Sequence, residues 1–402
     1  MKLTPYMALL ALPLAISSAY AADSTDGPTI TISGFGTAAL TRSNTDDAEF
    51  SRPNQYAGVK STAKTGPDSN FGIQATAKMN DWLSFTAQGL VRKNVTDEFG
   101  GELAWAFAKF KVSDNLSVRV GRVGLPVYMI SDYRNVGYAN NMLRPPVEMY
   151  SQVLIESVDG VDAVYQTSFG DSTLTAQLAL GQTETNNTSA GRFYTAKFKS
   201  LSGLNVQLEN GPFTVRFGRV DTKVSVEDSS IVNTVVGGLT QFGFTSAANS
   251  IRVKDTKASF TSVGLGVDWQ NFVVLSEYGK RKSESLTVPE STSWYTMFGY
   301  RVGKFMPYFN HASVTQDSPK SVAGLPTTGP LAALTAGANS LAASGAIQTS
   351  NSVGVRWDFS KSAALKVQLD RFSPDNGGTF IRAVPTFKGP VTVVAAAVDF
   401  VF

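Results

Sequence analysis

The side chains that most often perform chemistry are scarce in this chain. Its 402 residues include one histidine, His311, and no cysteine. Zinc sites are built mainly from these two residue types, and a serine or cysteine nucleophile needs a neighbouring base. Carboxylates such as Asp114 and Asp171 fall in turns, where nothing would make one an acid and the other a base. The sequence therefore predicts no enzyme activity, no metal and no cofactor.

A glycine motif near the N-terminus mimics a dinucleotide-binding fingerprint. It runs from Gly34 through Gly36 to Ala39. That fingerprint must lead into a helix within a parallel-sheet unit, and no such pattern follows here. The formal net charge of +3 comes without a strongly basic or acidic tail, so a nucleic-acid partner is not expected either.

The remaining candidates are charged residues that could act through their electric field. Residues 123–159 carry Asp132, Arg134, Arg144 and Glu148 among many tyrosine, proline and apolar residues. A segment of that composition is expected to be partly buried, unlike a solvated loop. What it does depends on the elements that surround it.

The last strand indicates a membrane-facing sheet. Successive strand residues point to opposite faces, so residues 391–402 place an apolar series on one face that ends in Phe400 and Phe402. The opposite face admits a charge, Asp399. The chain ends on Phe402, and in this it resembles the closing strand of Gram-negative outer-membrane barrels.

The N-terminus predicts export. Residues 1–21 have the three parts of a signal peptide, namely Lys2, an apolar core over residues 7–16 and the cleavage motif Ala19-Tyr20-Ala21. The apolar core is too short to cross a hydrocarbon layer of about 30 Å. We therefore expect residues 22–402 to form the mature protein, as a single domain.

Alternating runs joined by tight turns fill the mature chain. They predict sixteen strands, at residues 30–40, 71–79, 82–92, 102–112, 115–122, 161–169, 172–181, 194–208, 212–220, 258–269, 272–281, 294–301, 305–314, 352–359, 365–372 and 391–402. Tight and long connections are expected to alternate without exception. This asymmetry predicts an all-β fold, a transmembrane up-and-down antiparallel β-barrel with short periplasmic turns and long extracellular loops.

The alternation also separates the inner face from the lipid face. A Lys or Arg at the lipid midplane costs about 2–4 kcal/mol, so charged strand positions must face the lumen. They include Arg92, Arg119, Arg216, Arg356, Lys366, Asp370 and Asp399. Barrels of about sixteen strands keep an aqueous channel, so a polar lumen of this size predicts passage of water and small solutes.

The strand count, the terminal Phe402 and the long third external loop resemble the Gram-negative sixteen-stranded porin family. The resemblance implies an outer-membrane location, contact with outer-membrane lipid, and assembly as a homotrimer. It also implies recognition of the Phe402 strand by the barrel-assembly machinery. In that family the third external loop, here residues 123–159, folds inward and constricts the pore.

The resemblance also assigns the constriction residues. The family sets acidic loop groups against basic wall residues, which here would be Asp132, Glu148 and Glu156 in the loop and Arg92, Arg119, Arg122, Arg216 and Arg356 on the wall. This chain departs from the family pattern because Arg134 and Arg144 bring positive charge into the loop. The polarity of the constriction is therefore open.

Three functions follow from these expectations. The first is passive diffusion of small hydrophilic solutes and ions through a water-filled channel. The second is a substrate- or anion-selective channel, for phosphate or organic anions, in which Arg119, Arg122, Arg134 and Arg144 form a ladder. The third is a structural or adhesive barrel that its own loops plug.

Overall fold

A computed structural model describes residues 27–189, 192–375 and 377–402 and shows one closed antiparallel barrel. The predicted signal peptide over residues 1–21 lies outside the described residues. Every strand pairs with its sequence neighbours, and the first pairs with the last, so the predicted count of sixteen and the predicted topology are confirmed. The strands are β1 Thr29–Ser43, β2 Asn70–Lys78, β3 Leu83–Lys93, β4 Phe99–Lys111, β5 Leu116–Gly124, β6 Ser157–Phe169, β7 Ser172–Ser189, β8 Arg192–Asn210, β9 Phe213–Glu227, β10 Thr256–Trp269, β11 Phe272–Ser283, β12 Ser291–Tyr300, β13 Phe305–Gln316, β14 Ile347–Trp357, β15 Ala363–Asp375 and β16 Val391–Val401.

The glycine motif near the N-terminus serves the closure of the barrel. Gly34 stands opposite Phe402, and their backbones exchange two hydrogen bonds of 2.9 Å. A Cβ on Gly34 would lie 2.2 Å from the Phe402 ring, and one on Gly36 would lie 2.5 Å from the Phe400 ring. Aromatic rings laid over cross-strand glycines are a recurrent way to pin the register of a sheet. The two glycines thus leave the space in which the Phe400 and Phe402 rings pack over the backbone of β1.

The two faces of the wall differ as the alternation predicts. Outward residues such as Val263, Tyr278 and Phe309 are exposed apolar side chains, while their inward neighbours are buried or polar. Exposed aromatic residues gather at the end of the barrel that carries the short turns, namely Trp82, Phe169, Phe213, Trp269, Phe272, Tyr300, Phe305, Trp357, Phe359 and Phe402. Ring-to-ring contacts link several of them, with 5.7 Å between the centroids of Phe305 and Trp357.

The expectation that every second connection is long is wrong in two places. Strands β3 and β4 are joined by residues 94–98 alone, and β7 and β8 remain paired out to Ser189 and Arg192. The predicted strands end at residue 181 and begin again at residue 194. Above the membrane both faces of a hairpin meet water, so its strands need no apolar alternation.

Short helices occupy the longer external connections. The segment between β5 and β6 holds a 3-10 turn, Gly137–Ala139, and helix α1, Val147–Tyr150. Helices α2 Ser230–Gln241, α3 Thr245–Ile251 and α4 Ala332–Ala342 pack together through an apolar cluster that includes Leu239, Ile251 and Ala338. None of the helices in the described part of the chain is long and apolar enough to cross a membrane.

Candidate functional site

The segment between β5 and β6, residues 125–156, contacts inner-face side chains on the far side of the barrel; we call it the inward segment. Ser262 of β10 donates a hydrogen bond to the carbonyl oxygen of Val127 (2.6 Å). Glu277 of β11 accepts one from the backbone N–H of Met129 (2.9 Å). Ser262 and Glu277 alternate with outward residues along their strands, so these contacts lie inside the barrel.

Aromatic and apolar packing supports this inner contact. Tyr128 lies 4.5 Å from Tyr150, measured between ring centroids, and meets Phe260 of β10 edge-on. Glu277 also accepts hydrogen bonds from the hydroxyl groups of Tyr150 and Tyr295. A buried carboxylate is tolerated when such donors satisfy it. The inward segment therefore packs on the β10–β13 wall as a second layer.

The middle of the inward segment is tied to the wall by one buried lysine. The Lys366 ammonium group donates to the carbonyl oxygens of Gly137 (2.7 Å), Asn140 (2.6 Å) and Met142 (3.1 Å). It also pairs with Asp399 at 2.9 Å, and both side chains are 0 % exposed. The ammonium group has three N–H donors, which the three carbonyl oxygens satisfy, and Asp399 is its counter-ion. Lys366 is therefore tolerated as a charge although it is excluded from water.

Gly137 makes this contact possible. A Cβ at that position would lie 2.0 Å from Asp399 Oδ1 and 2.3 Å from Thr37 Oγ1. Thr37 in turn donates a hydrogen bond to Asp399 (2.6 Å). The backbone of the inward segment thus lies directly on a polar cluster formed by β1, β15 and β16, at a distance that only glycine permits.

Arg356 and Arg216, predicted as wall residues of the constriction, both bind the inward segment. Arg356 donates to the carbonyl oxygens of Tyr138 (2.8 Å) and Asn140 (3.0 Å) and pairs with Asp358 (2.8 Å). Arg216 donates to the carbonyl oxygen of Met129 (3.1 Å). Both are buried. The structure therefore uses these two arginines to position backbone.

Arg144 and Glu148 are also enclosed. Arg144 is 3 % exposed, lies between Asp68 (3.3 Å) and Asp370 (3.7 Å), and stacks over the Phe50 ring at 4.7 Å. Glu148 is 0 % exposed and accepts a hydrogen bond from Gln348 (2.8 Å). Burial raises the pKa of Glu148. These residues fix helix α1 and its approach to the wall.

The opposite edge of the inward segment carries an ion-pair network with the wall of β3 and β4. Arg92 of β3 pairs with Glu102 of β4 (2.8 Å) and with Glu156 (2.7 Å). Glu156 also pairs with Arg134 (2.5 Å) and accepts a hydrogen bond from Asn135 (2.8 Å). Two loop charges and two wall charges therefore meet here, and all four remain partly exposed.

Further along the same wall, each charged side chain again lies next to another charged side chain. Arg119 of β5 forms a two-pronged ion pair with Asp162 of β6 (Nε to Oδ1, 2.8 Å). Lys109 of β4 stands opposite Arg119 in the strand register. Asp132 of the inward segment is exposed, and its field acts on Arg119. We call this β3–β6 side of the inward segment the open side, and the β10–β16 side the sealed side.

Arg122 lies on the outer face of the barrel, so its assignment to the lumen wall does not agree with the structure. It pairs with Asp159 of β6 (2.7 Å), in line with the exposed outward residues Val120 and Val161. Arg119 and Arg122 are three positions apart on one continuous strand, and such residues must face opposite sides. The predicted strand over residues 115–122 already implied that Arg119 and Arg122 face opposite sides of the sheet.

The four arginines of the predicted ladder therefore do not share a path. Arg119 and Arg134 are on the open side, Arg144 is enclosed and Arg122 is outside. Several residues that the structure places in the site were not predicted for it: Lys366, Asp399, Glu277, Glu102, Lys109 and Asp162. Asp399 carried a usable signal, because it is an inward charge on a strand whose other residues are apolar or small, whereas Lys366 shares the inner face of β15 with Gln368 and Asp370.

Comparison with known proteins adds an independent result. The chain matches the family model described as Gram-negative porin over residues 8–377. No curated protein sequence matches it. Solved structures match across nearly the whole chain at low identity, so they show the shared fold alone. Salmonella typhi OmpF, in a complex with daunomycin, is 14% identical with a TM-score of 0.58 and covers 94% of this chain and 99% of that one.

Two further structures extend the comparison. Outer-membrane expressed OmpT of Vibrio cholerae is 13% identical, with a TM-score of 0.55 over 94% of this chain and 99% of that one. An anion-selective porin from Comamonas acidovorans is 14% identical, with a TM-score of 0.53 over 93% of this chain and 100% of that one.

Proposed function

The chain belongs to the Gram-negative porin family, and from that premise we propose that the inward segment is the constriction of its channel. The barrel lies in the outer membrane and forms a water-filled channel for passive diffusion of small hydrophilic solutes and ions. The predicted loop over residues 123–159 contains the inward segment with two or three flanking residues on each side. Its position narrows the lumen to the space on the open side.

One observation supports this proposal most strongly. The carbonyl oxygens of Gly137, Asn140 and Met142 converge on Lys366, which belongs to the wall opposite β5 and β6. A loop that begins and ends at β5 and β6 must cross the lumen to make these contacts. Conduction is then governed by the charges that remain on the open side.

The charges of the open side favour weak ion selectivity. Four cations, Arg92, Lys109, Arg119 and Arg134, face four acids, Glu102, Asp132, Glu156 and Asp162. Most of these groups neutralise one another in direct pairs. We therefore propose a diffusion channel for small hydrophilic solutes of either charge, in preference to an anion-selective channel.

Planar-bilayer recordings in a salt gradient test this function. We expect discrete conductance steps and a reversal potential close to zero, because neither sign of charge dominates the open side. Strong anion selectivity that disappears in Arg119→Ala would contradict weak selectivity and favour an anion channel. No conductance above background would contradict the channel and favour a structural or adhesive barrel plugged by its loops.

The assembly and partners of the barrel are part of the same proposal. We propose a homotrimer, and the trimer form of in-vitro folded Vibrio cholerae OmpT, a protein of the same fold, supports this assembly. Phe402, which packs over Gly34 and stacks on Phe71 at 6.3 Å between centroids, is the proposed contact for the barrel-assembly machinery. We also propose that the barrel contacts outer-membrane lipid and that residues 1–21 form a signal peptide. No catalytic role is proposed; among the described residues, no group of three or more His, Cys, Asp or Glu could hold a metal.

A further inference from the structure

Trp105 faces the lumen because strand β4 carries a β-bulge. Gln88 of β3 stands opposite Trp105, but the next residue of β3 stands opposite Leu103. Ala104 is therefore an extra residue in β4. Leu103 and Trp105 would share one face of a regular strand, and the extra residue turns them to opposite faces. Leu103 is exposed on the outer wall, and Trp105 lies beside Gln88 on the inner wall.

Two glutamine side chains hold the indole of Trp105 in place. The indole Nε1 donates a hydrogen bond to Oε1 of Gln74 (3.2 Å), and Nε2 of Gln88 donates a second one to the same oxygen (3.1 Å). Gln88 is 4 % exposed, so this network is anchored in the wall. Trp105 itself is only half-buried. The open side therefore contains a fixed aromatic ring that is partly open to water.

The chain leaves the face of this ring uncovered. Three other aromatic rings around the inward segment each carry an arginine over the ring, in the pairs Phe107–Arg119, Phe50–Arg144 and Tyr138–Arg356. Among the residues that the structure describes, no cation and no second ring stacks on Trp105. Tryptophan is the side chain that attracts cations most strongly through its ring. Trp105 therefore presents a cation-binding face to the lumen.

Asp132 supplies a free carboxylate next to this ring. The other acids of the open side pair with arginines, namely Glu102, Glu156 and Asp162. Asp132 is exposed and, within the described ranges, forms neither an ion pair nor a side-chain hydrogen bond. A Cβ on Gly124 would lie 3.8 Å from Oδ1 of Asp132 and 3.9 Å from Cε3 of Trp105. The carboxylate and the indole are therefore close neighbours.

Neighbouring cations leave the attraction of this pair largely intact. Arg92, Arg119 and Arg134 each pair with an acid. Lys109, which forms no ion pair in the described part of the chain, lies four positions from Trp105 along β4. At 3.3 Å per residue that is about 13 Å, which exceeds the distance of about 8 Å over which physiological salt screens a charge.

We propose that Trp105 and Asp132 form a binding subsite for organic cations, which solutes with a quaternary ammonium group occupy briefly as they cross the open side. The subsite rests on the proposed channel function and names a class of solute for it. The carboxylate attracts the charge of the solute, and the indole face attracts the methyl-covered ammonium group. A hydrated potassium ion gains from the carboxylate alone, so the indole distinguishes the two.

Block of the potassium current by choline tests the subsite. Choline is added to planar-bilayer recordings of the intact barrel in potassium chloride, and its uncharged carbon analogue, dimethylbutanol, is the matched probe. The variants are Trp105→Leu, Trp105→Phe and Asp132→Asn. The control is Trp294→Leu, which changes an exposed tryptophan on the lipid-facing side of β12.

We expect the half-blocking concentration of choline to rise about threefold in Trp105→Leu, since a cation over a partly exposed ring gains about two- to fivefold in affinity. The rise should be smaller in Trp105→Phe, which keeps a weaker aromatic face. Asp132→Asn should weaken the block by a similar factor with folding intact, because that side chain binds no other group of the described chain. Trp294→Leu should match the native barrel, and dimethylbutanol should not block.

Two results would overturn the subsite while the channel function stands. One is an equal half-blocking concentration of choline in the native barrel and in Trp105→Leu, which would show attraction by Asp132 alone. The other is an equal block by dimethylbutanol, which would identify an apolar site. Absence of any potassium current would overturn the channel itself, and the subsite with it.

Discussion

The two sides of the inward segment use charge in opposite ways. On the sealed side, wall charges such as Lys366 and Arg356 bind backbone carbonyl oxygens and are excluded from water. On the open side, side-chain charges such as Arg92, Arg134 and Glu156 bind one another and stay partly exposed. The first arrangement holds the loop in place, and the second sets the field that a solute meets. Position and selectivity are therefore separable in this barrel.

The largest effect is expected where the sealed side loses its central charge. Lys366→Met removes the donor to three carbonyl oxygens and leaves Asp399 buried without a counter-ion. Breaking a buried pair in this way costs about 3–5 kcal/mol. We expect a lower unfolding midpoint in denaturant and a larger, noisier conductance, because the segment detaches from the wall.

A double variant separates the two consequences of that change. Lys366→Met/Asp399→Leu removes both charges and should restore much of the unfolding free energy while the conductance stays abnormal. A native conductance in the double variant would show that Lys366 does not hold the segment in place.

A smaller effect is expected from a substitution on the sealed side that removes no charge and only crowds a close contact. Gly137→Ala adds a methyl group that would overlap Asp399 and Thr37, and forced overpacking of this kind costs about 1–3 kcal/mol. We expect altered conductance with intact folding. Gly237→Ala in helix α2 is the matched control, because a Cβ there meets nothing within 4 Å. If both variants conduct like the native barrel, the close contact at Gly137 has no role in the constriction.

On the open side the expected effect is on selectivity and not on stability. Glu156→Gln removes the acid that Arg92 and Arg134 share, so the lumen gains one net positive charge. The anion-to-cation permeability ratio should rise on the order of twofold in dilute salt and less in concentrated salt. Glu227→Gln, at the exposed end of β9, should leave the reversal potential unchanged. A shift of equal size in both variants would contradict a local role for Glu156.

The smallest expected effect depends on pH. Burial raises the pKa of Glu148 above that of a solvated glutamate, so the folded barrel loses stability as pH rises from about 4.3 through the raised pKa. Glu148→Gln stays neutral and keeps a partner for Gln348. We expect it to raise the unfolding free energy at pH 8 and to have no effect at pH 4. A loss of stability at both pH values would show that the charged form is needed.

The sequence predicted the wall far better than the lumen. A lipid environment forces apolar side chains outward, so alternation, tight turns and the terminal Phe402 were enough to predict sixteen strands in the right order. The extent of β7 and β8 beyond the membrane was missed because that constraint ends at the water interface. Arg122 was misplaced although its spacing from Arg119 was informative.

The contacts of the inward segment could not be predicted from the alternation of apolar and polar residues. Lys366 lies 229 positions from Gly137 along the chain, and its partners are backbone carbonyl oxygens, which every residue has. No residue type marks such a site. The roles of Arg92, Arg134, Arg216 and Arg356 depend on which side of the segment each one meets, and that becomes visible only in three dimensions.

Cross-linking across the lumen tests most directly whether the inward segment rests on the far wall. The chain has no native thiol, so Tyr138→Cys/Arg356→Cys can be joined by a short bis-maleimide in intact outer membranes. The positive control is Thr76→Cys/Thr86→Cys, on the inner face of the paired strands β2 and β3, where the two hydroxyl groups lie 3.2 Å apart. We predict an intramolecular cross-link in both pairs and near-native conductance in the cross-linked Tyr138→Cys/Arg356→Cys channel. A cross-link in the control pair alone would contradict a constriction held against the β14–β16 wall.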